Sequence, residues 1–75
     1  MAETYLDTKG MNCPLPILKT KKTIKSLANG DTVKVESTDP GSVKDFEAFC
    51  RSTGNKLVSS TNDGGVYTYV IEKAG

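Results

Sequence analysis

Pro14 and Pro16 stand two residues apart, and a helical pattern of apolar residues begins just after them. Proline fixes φ and has no backbone N–H. A pair at this spacing therefore fits a helix only in its first turn, where the N–H groups have no intrahelical acceptor. The prolines thus set where a helix begins, and they put Cys13 at its N-terminal tip. The positive end of a helix favours the thiolate, which is the reactive form of cysteine. The same prolines remove two donors, so only Leu15 and Ile17 of the first four positions can offer an N–H to an anion. The expected Cys13 pKa is lowered modestly from the free value of about 8.5.

Seventy-five residues bound what this thiol can serve. A chain of this length makes one small domain, residues 1–75, with a modest core. It is a poor candidate for a deep substrate pocket, and a reactive group on it is expected to meet its chemistry on a partner protein. Lys and Arg number 10 against 9 Asp and Glu, a net charge of +1, so no global field steers the chain to nucleic acid or membrane. No window is long and apolar enough to span a bilayer, and the start of the chain lacks the apolar region of a signal peptide. The chain reads as cytoplasmic. Its two cysteines, Cys13 and Cys50, are then free thiols at rest, since small secreted domains use denser disulfide frameworks. With no His, two cysteines make no closed zinc site, and neither metal nor cofactor is expected.

Two helices and four strands follow from periodicity. Thr4 to Asp7 reads as a short strand and Thr8-Lys9-Gly10 as a turn. Pro14 to Ala28 is helical, with Ile17, Thr20, Ile24, Leu27 and Ala28 on one face, and Asn29-Gly30 as its stop. Thr32 to Ser37 alternates as a strand. Asp39-Pro40 starts a second helix, Ser42 and Asp45 resemble a capping box, Val43, Phe46 and Cys50 form a stripe with Phe49 at its edge, and Gly54 ends it. Leu57 to Thr61 and Val66 to Glu72 are strands joined through Asn62-Asp63-Gly64-Gly65, a hairpin signal. The order β-α-β-α-β-β is expected to give an α/β (α+β) two-layer sandwich. It has a mixed four-stranded sheet, both helices on one face, and the first two strands parallel through a right-handed crossover.

The chemistry narrows at the motif. Pro16 occupies the place of a second thiol, so Cys13-Pro14-Leu15-Pro16 is not a Cys-x-x-Cys dithiol. A single thiol on a rigid helix end suits accepting a group from one partner and presenting it to another, and a persulfide is a reversible thiol modification of that kind. The bland alternative is a small buried hydrophobe, the common fate of free cysteine, against which the flanking prolines argue.

The run Asp7-x-x-Gly10-x-x-Cys13-Pro14-x-Pro16 resembles the signature of the TusA (SirA-like) sulfur-carrier family. The resemblance continues through Gly30, the Asp39-Pro40 segment, the Gly54 turn and the last two strands. It implies a cytoplasmic, sulfurtransferase-like carrier that holds sulfane sulfur as a persulfide on Cys13, with Pro14, Leu15 and Pro16 in support. It implies a sulfur donor such as a cysteine desulfurase or rhodanese, and a DsrE-type or related acceptor. The sulfur would go on to tRNA thiolation, molybdenum cofactor biosynthesis or dissimilatory sulfur oxidation. Many members carry a Trp near Phe49 and a His near Asn55, and this chain has neither Trp nor His. The segment from Asp39 to Cys50 resembles carriers of sulfur-oxidising systems more than those of tRNA thiolation. Turnover as an enzyme acting alone is left open.

Other residues carry competing readings. Cys50 shares a stripe with Val43 and Phe46, which makes it a core residue; the functional alternative is a resolving thiol. Lys19, Lys21, Lys22 and Lys25, with Lys9 before them, form either a solvated helix face or a docking surface beside the thiol, for which Leu18, Lys19, Lys22 and Lys25 are the candidates. Asp7 and Asp39 read as turn and cap residues, and Gly10 as a turn glycine. Tyr5, Tyr67 and Tyr69, with the lysines, suggest a nucleic-acid-binding module, although the domain is not strongly basic and lacks an RRM or KH signature. A thiol redox sensor built on Cys13 is the third reading.

Overall fold

The structure is a computed structural model that describes residues 3–12 and 15–74; the expectations for Cys13 and Pro14 lie outside the described residues. Strand β1 (Glu3–Asp7), helix α1 (Leu15–Lys25), strand β2 (Thr32–Ser37), helix α2 (Ser42–Thr53), strand β3 (Lys56–Asp63) and strand β4 (Val66–Glu72) follow in that order. They form the expected two-layer α/β sandwich. The sheet order is β1-β2-β4-β3. β1 runs parallel to β2, as predicted, with Tyr5 opposite Lys34 and Asp7 opposite Glu36. β4 is antiparallel to both β2 and β3.

Alternation along the strands separates the two faces of the sheet. Val33 and Val35 of β2 stand opposite Ile71 and Tyr69 of β4. These four are buried against Ile24 of α1 and Phe46, Phe49 and Cys50 of α2, with Leu6, Ile17, Leu27, Val43, Leu57 and Tyr67 packed around them. Both helices therefore share one face. Phe46 stacks on Tyr69 with ring centroids 4.5 Å apart. The hairpin between β3 and β4 closes through Gly64 and Gly65, whose φ values of 59° and 90° are those of a two-residue type I′ turn, which glycine adopts at no steric cost. Val58 sits at a bulge between Leu57 and Ser59 and is exposed.

Two local expectations are corrected. Helix α1 ends at Lys25, not Ala28, because Ser26 and Leu27 donate to Thr23 and Ile24 in tighter i−3 turns; Ala28 is exposed and opens the Asn29-Gly30 turn, accepting from Asp31 at 3.0 Å. Ser42 does not cap α2. Its buried hydroxyl pairs with the Tyr69 hydroxyl at 2.7 Å, and Gly41 occupies the cap position with no side-chain cap. Asp39 starts the turn, accepting from the Gly41 N–H at 3.0 Å. Among the described residues, the three tyrosines do not share one exposed face. Tyr69 is buried in the core and Tyr67 packs against it, while Tyr5 lies opposite Lys34 on the other face.

The Ser42–Tyr69 bond gives a test of the core. Tyr69→Phe leaves the Ser42 hydroxyl buried without its partner and is expected to cost about 1–3 kcal/mol. Adding Ser42→Ala is expected to recover part of that loss in a double-mutant cycle read by urea unfolding. Additive losses would contradict a shared bond.

Candidate functional site

Cys13 follows a segment that is fastened to the end of β2. Thr8 is buried, and its N–H and hydroxyl both donate to the Glu36 carbonyl, at 2.8 and 2.6 Å. Gly10 takes φ 82°, a left-handed conformation that favours glycine, and its N–H donates to Thr38 Oγ1 at 2.9 Å. Met11 N–H donates to the Thr8 carbonyl at 3.1 Å. Asp7 accepts the Lys9 N–H at 2.9 Å, the turn role expected for it. The chain is therefore tied down until two residues before the cysteine.

On the far side, α1 opens at Leu15. Its N–H donates to the Asn12 carbonyl at 2.9 Å, so it is committed to the turn and does not stand free for an anion, as the sequence led us to expect. Pro16 is buried, and its carbonyl accepts the Thr20 hydroxyl at 2.8 Å. This anchors the first turn into the core. Leu15 and Leu18 lie on the other side of the helix, 49% and 53% exposed. With Lys22 they form one stripe at three- and four-residue spacing.

The lysines divide. Lys9 does not belong to a free positive surface. Its ammonium pairs with Asp7 at 3.4 Å and Glu36 at 3.3 Å and donates to the Tyr5 hydroxyl at 3.4 Å, while Tyr5 donates to Glu36. Lys19 lies close enough to Asp7 for its charge to help lower the Asp7 carboxyl. Lys22 stays beside the exposed leucines. Lys25 lines a recess with Lys21 at the other end of the helix. Leu18 and Lys19 thus stand within a turn of Leu15, Lys22 continues their helix side about 10 Å further along, and Lys25 lies at the helix end. The residues that fasten the preceding segment, Thr8, Glu36 and Thr38, were not singled out from sequence. The Asp7-Lys9 spacing of a side-chain turn was a usable signal, and the contacts across to β2 had none.

Cys50 is 6% exposed, and desolvation raises its thiol pKa. It is the core residue its stripe indicated. Asn55, where many members of the resembled family place a His nearby, is also buried. Its amide donates to Thr53 Oγ1 and its carbonyl oxygen accepts the Ala74 N–H.

Comparison with known proteins places the chain. Residues 4–73 match the family described as Sulfurtransferase TusA. The sulfur carrier protein TusA of Allochromatium vinosum is 51% identical over 69 residues, 92% of this chain and 91% of its own. A Neisseria meningitidis relative is 46% identical over 72 residues, covering 96% and 97%. The fold is that of a SirA-like protein from Desulfitobacterium hafniense, with a TM-score of 0.83 over the full length of both chains at 23% identity. The chain belongs to the TusA family of sulfur carriers.

The Lys9 cluster has a pH signature. The Tyr5 hydroxyl, then Lys9, hold the Glu36 carboxyl below its usual range. The Lys9 N–H does the same first of all for Asp7. Lowered carboxyls stabilise the fold above the ordinary range of about pH 4–4.5, and that contribution is lost as pH falls through the lowered values. Tyr5→Phe is expected to raise the Glu36 titration midpoint in side-chain NMR. Lys9→Met should raise it less and leave Asp7 low, because the Lys9 N–H remains. A Glu36 midpoint unmoved by both changes would dismiss the cluster.

Proposed function

We propose that Cys13 carries sulfane sulfur as a persulfide. The observation that supports this most directly is the burial of Cys50. Of the two cysteines in the chain, the one within the core is shielded and pushed toward the unreactive thiol, and the one left stands in the Cys-Pro-x-Pro motif.

In the loading step the Cys13 thiolate attacks the outer sulfur of a donor's persulfide. The new S–S bond forms as the donor's S–S bond breaks, and the donor leaves as its thiolate. In the delivery step a partner's cysteine thiolate attacks the terminal sulfur on Cys13, and Cys13 departs as the thiolate that began the cycle. Each step exchanges one S–S bond for another and needs no external oxidant. The donor fits a cysteine desulfurase or rhodanese, and the acceptor a DsrE-type or related protein, in the cytoplasm. The onward route is tRNA thiolation, molybdenum cofactor biosynthesis or sulfur oxidation.

Leu15 and Leu18, with Lys19 and Lys22 beside them, offer partners an apolar contact next to the motif. Pro16, buried, keeps that turn from fraying, so both partners meet the same shape.

Intact-protein mass spectrometry after incubation with a desulfurase and cysteine, or a rhodanese and thiosulfate, tests the carrier. The expected result is one added sulfur on wild type and Cys50→Ala, removed by thiol reductant and absent from Cys13→Ala. The sulfinic acid, which has nearly the same mass, does not leave on reduction. No adduct on a folded wild type would overturn the reading, and peroxide-driven sulfenic acid in its place would favour a redox sensor. For docking, Leu18→Asp is expected to slow transfer about tenfold or more, as loss of an apolar anchor does. Its unfolding midpoint should stay near wild type, because the side chain is exposed.

A further inference from the structure

At the end of α1 remote from the motif lies a recess of about 160 Å³, lined by Lys21, Ile24, Lys25, Phe49, Thr53, Asn55 and Lys73. Ile24 and Phe49 reach it from the core. The charged groups around this apolar floor are three lysines, and none of the lining residues is acidic. By helix rise, Ile24 and Lys25 lie about 14–15 Å along α1 from Leu15.

The walls are held in place by the fold. Thr53 Oγ1 donates to the Phe49 carbonyl at 2.8 Å, and Asn55 Nδ2 donates to Thr53 Oγ1 at 2.9 Å. Asn55 Oδ1 accepts the Ala74 N–H at 3.0 Å. Lys73 is fixed through its backbone, donating to the Asp31 carbonyl and accepting from Gly30, both at 2.8 Å. These bonds tie the α2 and β4 sides of the recess to the fold.

Size and charge choose among occupants. Small-molecule sites usually span about 300–1,000 Å³, and this recess is smaller. Its volume suits one apolar side chain, and its rim suits carboxylates on either side of that chain. We propose that the recess is a docking socket for an acidic segment of a partner protein that inserts a single apolar side chain between Lys21, Lys25 and Lys73. The socket is separate from the motif end and does not use Cys13, so a partner seated there leaves the motif end uncovered.

The probe is an acetylated, amidated pentapeptide with one leucine flanked by two glutamates on each side. It is titrated into the full, uniformly ¹⁵N-labelled protein at low salt. The expected result is saturable amide shifts centred on Lys21, Ile24, Lys25, Phe49, Thr53, Asn55 and Lys73, with the residues around Leu15 and Leu18 unmoved. Replacing the peptide's leucine by serine should abolish them. Replacing all three lysines by Gln should weaken binding roughly tenfold, the combined effect of three exposed ion pairs. Lys21 and Lys25 are exposed and Lys73 is half-buried, and a wild-type unfolding midpoint in the triple variant will show that the fold is kept. Cys13→Ser should bind as wild type does, which separates this socket from sulfur carriage.

Shifts that are absent, equal for the serine peptide, or centred on the motif end would overturn the proposal. Saturable binding of octanoate without binding of the peptide would also overturn it, in favour of a small amphipathic anion.

Discussion

The pairing of β2 with β4 beneath the two helices is the constraint on which everything else hangs. Val33, Val35, Tyr69 and Ile71 are fully buried there against Phe46, and removing such surface from water is the main favourable term available to a chain this short. The pair also fixes the position of β1, whose neighbour in the sheet is β2. A small sheet seldom tolerates a slipped register when one face is buried, because a shift by one residue would turn Val33 and Val35 to solvent. The Tyr69 hydroxyl adds a second lock. It is satisfied by Ser42, and so ties the first turn of α2 to β4 across 27 residues of sequence.

From that frame the segments on either side of Cys13 and Pro14 inherit their placement. The Glu36 carbonyl accepts two donors from Thr8, and Thr38 holds Gly10. These are contacts to the end of β2, a central strand whose Val33 and Val35 are fully buried. On the other side Pro16 and Thr20 anchor the first turn of α1 from beneath. On the proposed function, a carrier that presents one atom to two partners would gain from such tethering, since freedom in the flanking segments would have to be frozen at each encounter. Proline contributes in the same direction through the unfolded chain, which has fewer conformations to lose.

Most of the fold was legible because each element carried its own local signal. The alternation in Thr32–Ser37 and Val66–Glu72 predicted both strands to the residue, and the glycine pair at 64 and 65 marked the hairpin. Cys50 was placed correctly by its spacing from Val43 and Phe46, and Leu18 by its distance from the apolar stripe. Two of the three misreadings share one cause. Ser42 looked like a cap from its neighbours, but its hydroxyl answers to a buried tyrosine far along the chain. Lys9 looked like one more helix-flanking lysine, but its partners are Glu36 and Tyr5 as well as the adjacent Asp7. The Leu15 N–H looked free, and Asn12 takes it. For Ser42 and Lys9 the polar group found a partner that a local window does not contain, because buried or clustered polar groups are satisfied by the fold as a whole; the Leu15 N–H is taken locally, by the turn that opens the helix.

The distribution of lysines along α1 follows from the same packing. By helical spacing Lys22 shares the outward stripe with Leu15 and Leu18, whereas Lys21 and Lys25 flank Ile24, whose side chain enters the core between the helices. Lysine can lay its apolar stem along such a flank while its ammonium stays in water. The recess floor is therefore rimmed by positive charge for reasons of packing alone, and the recess is specific because Phe49, Thr53, Asn55 and Lys73 meet it from three other parts of the chain. If Cys13 carries the sulfur as proposed, donor and acceptor both need that one thiol and cannot be distinguished by it. Discrimination would then come from contacts beside it, and the exposed leucines and the proposed socket, on one helix, would supply it with little added area. A partner engaging both gains the second contact at a high effective concentration, while one engaging only the motif end does not.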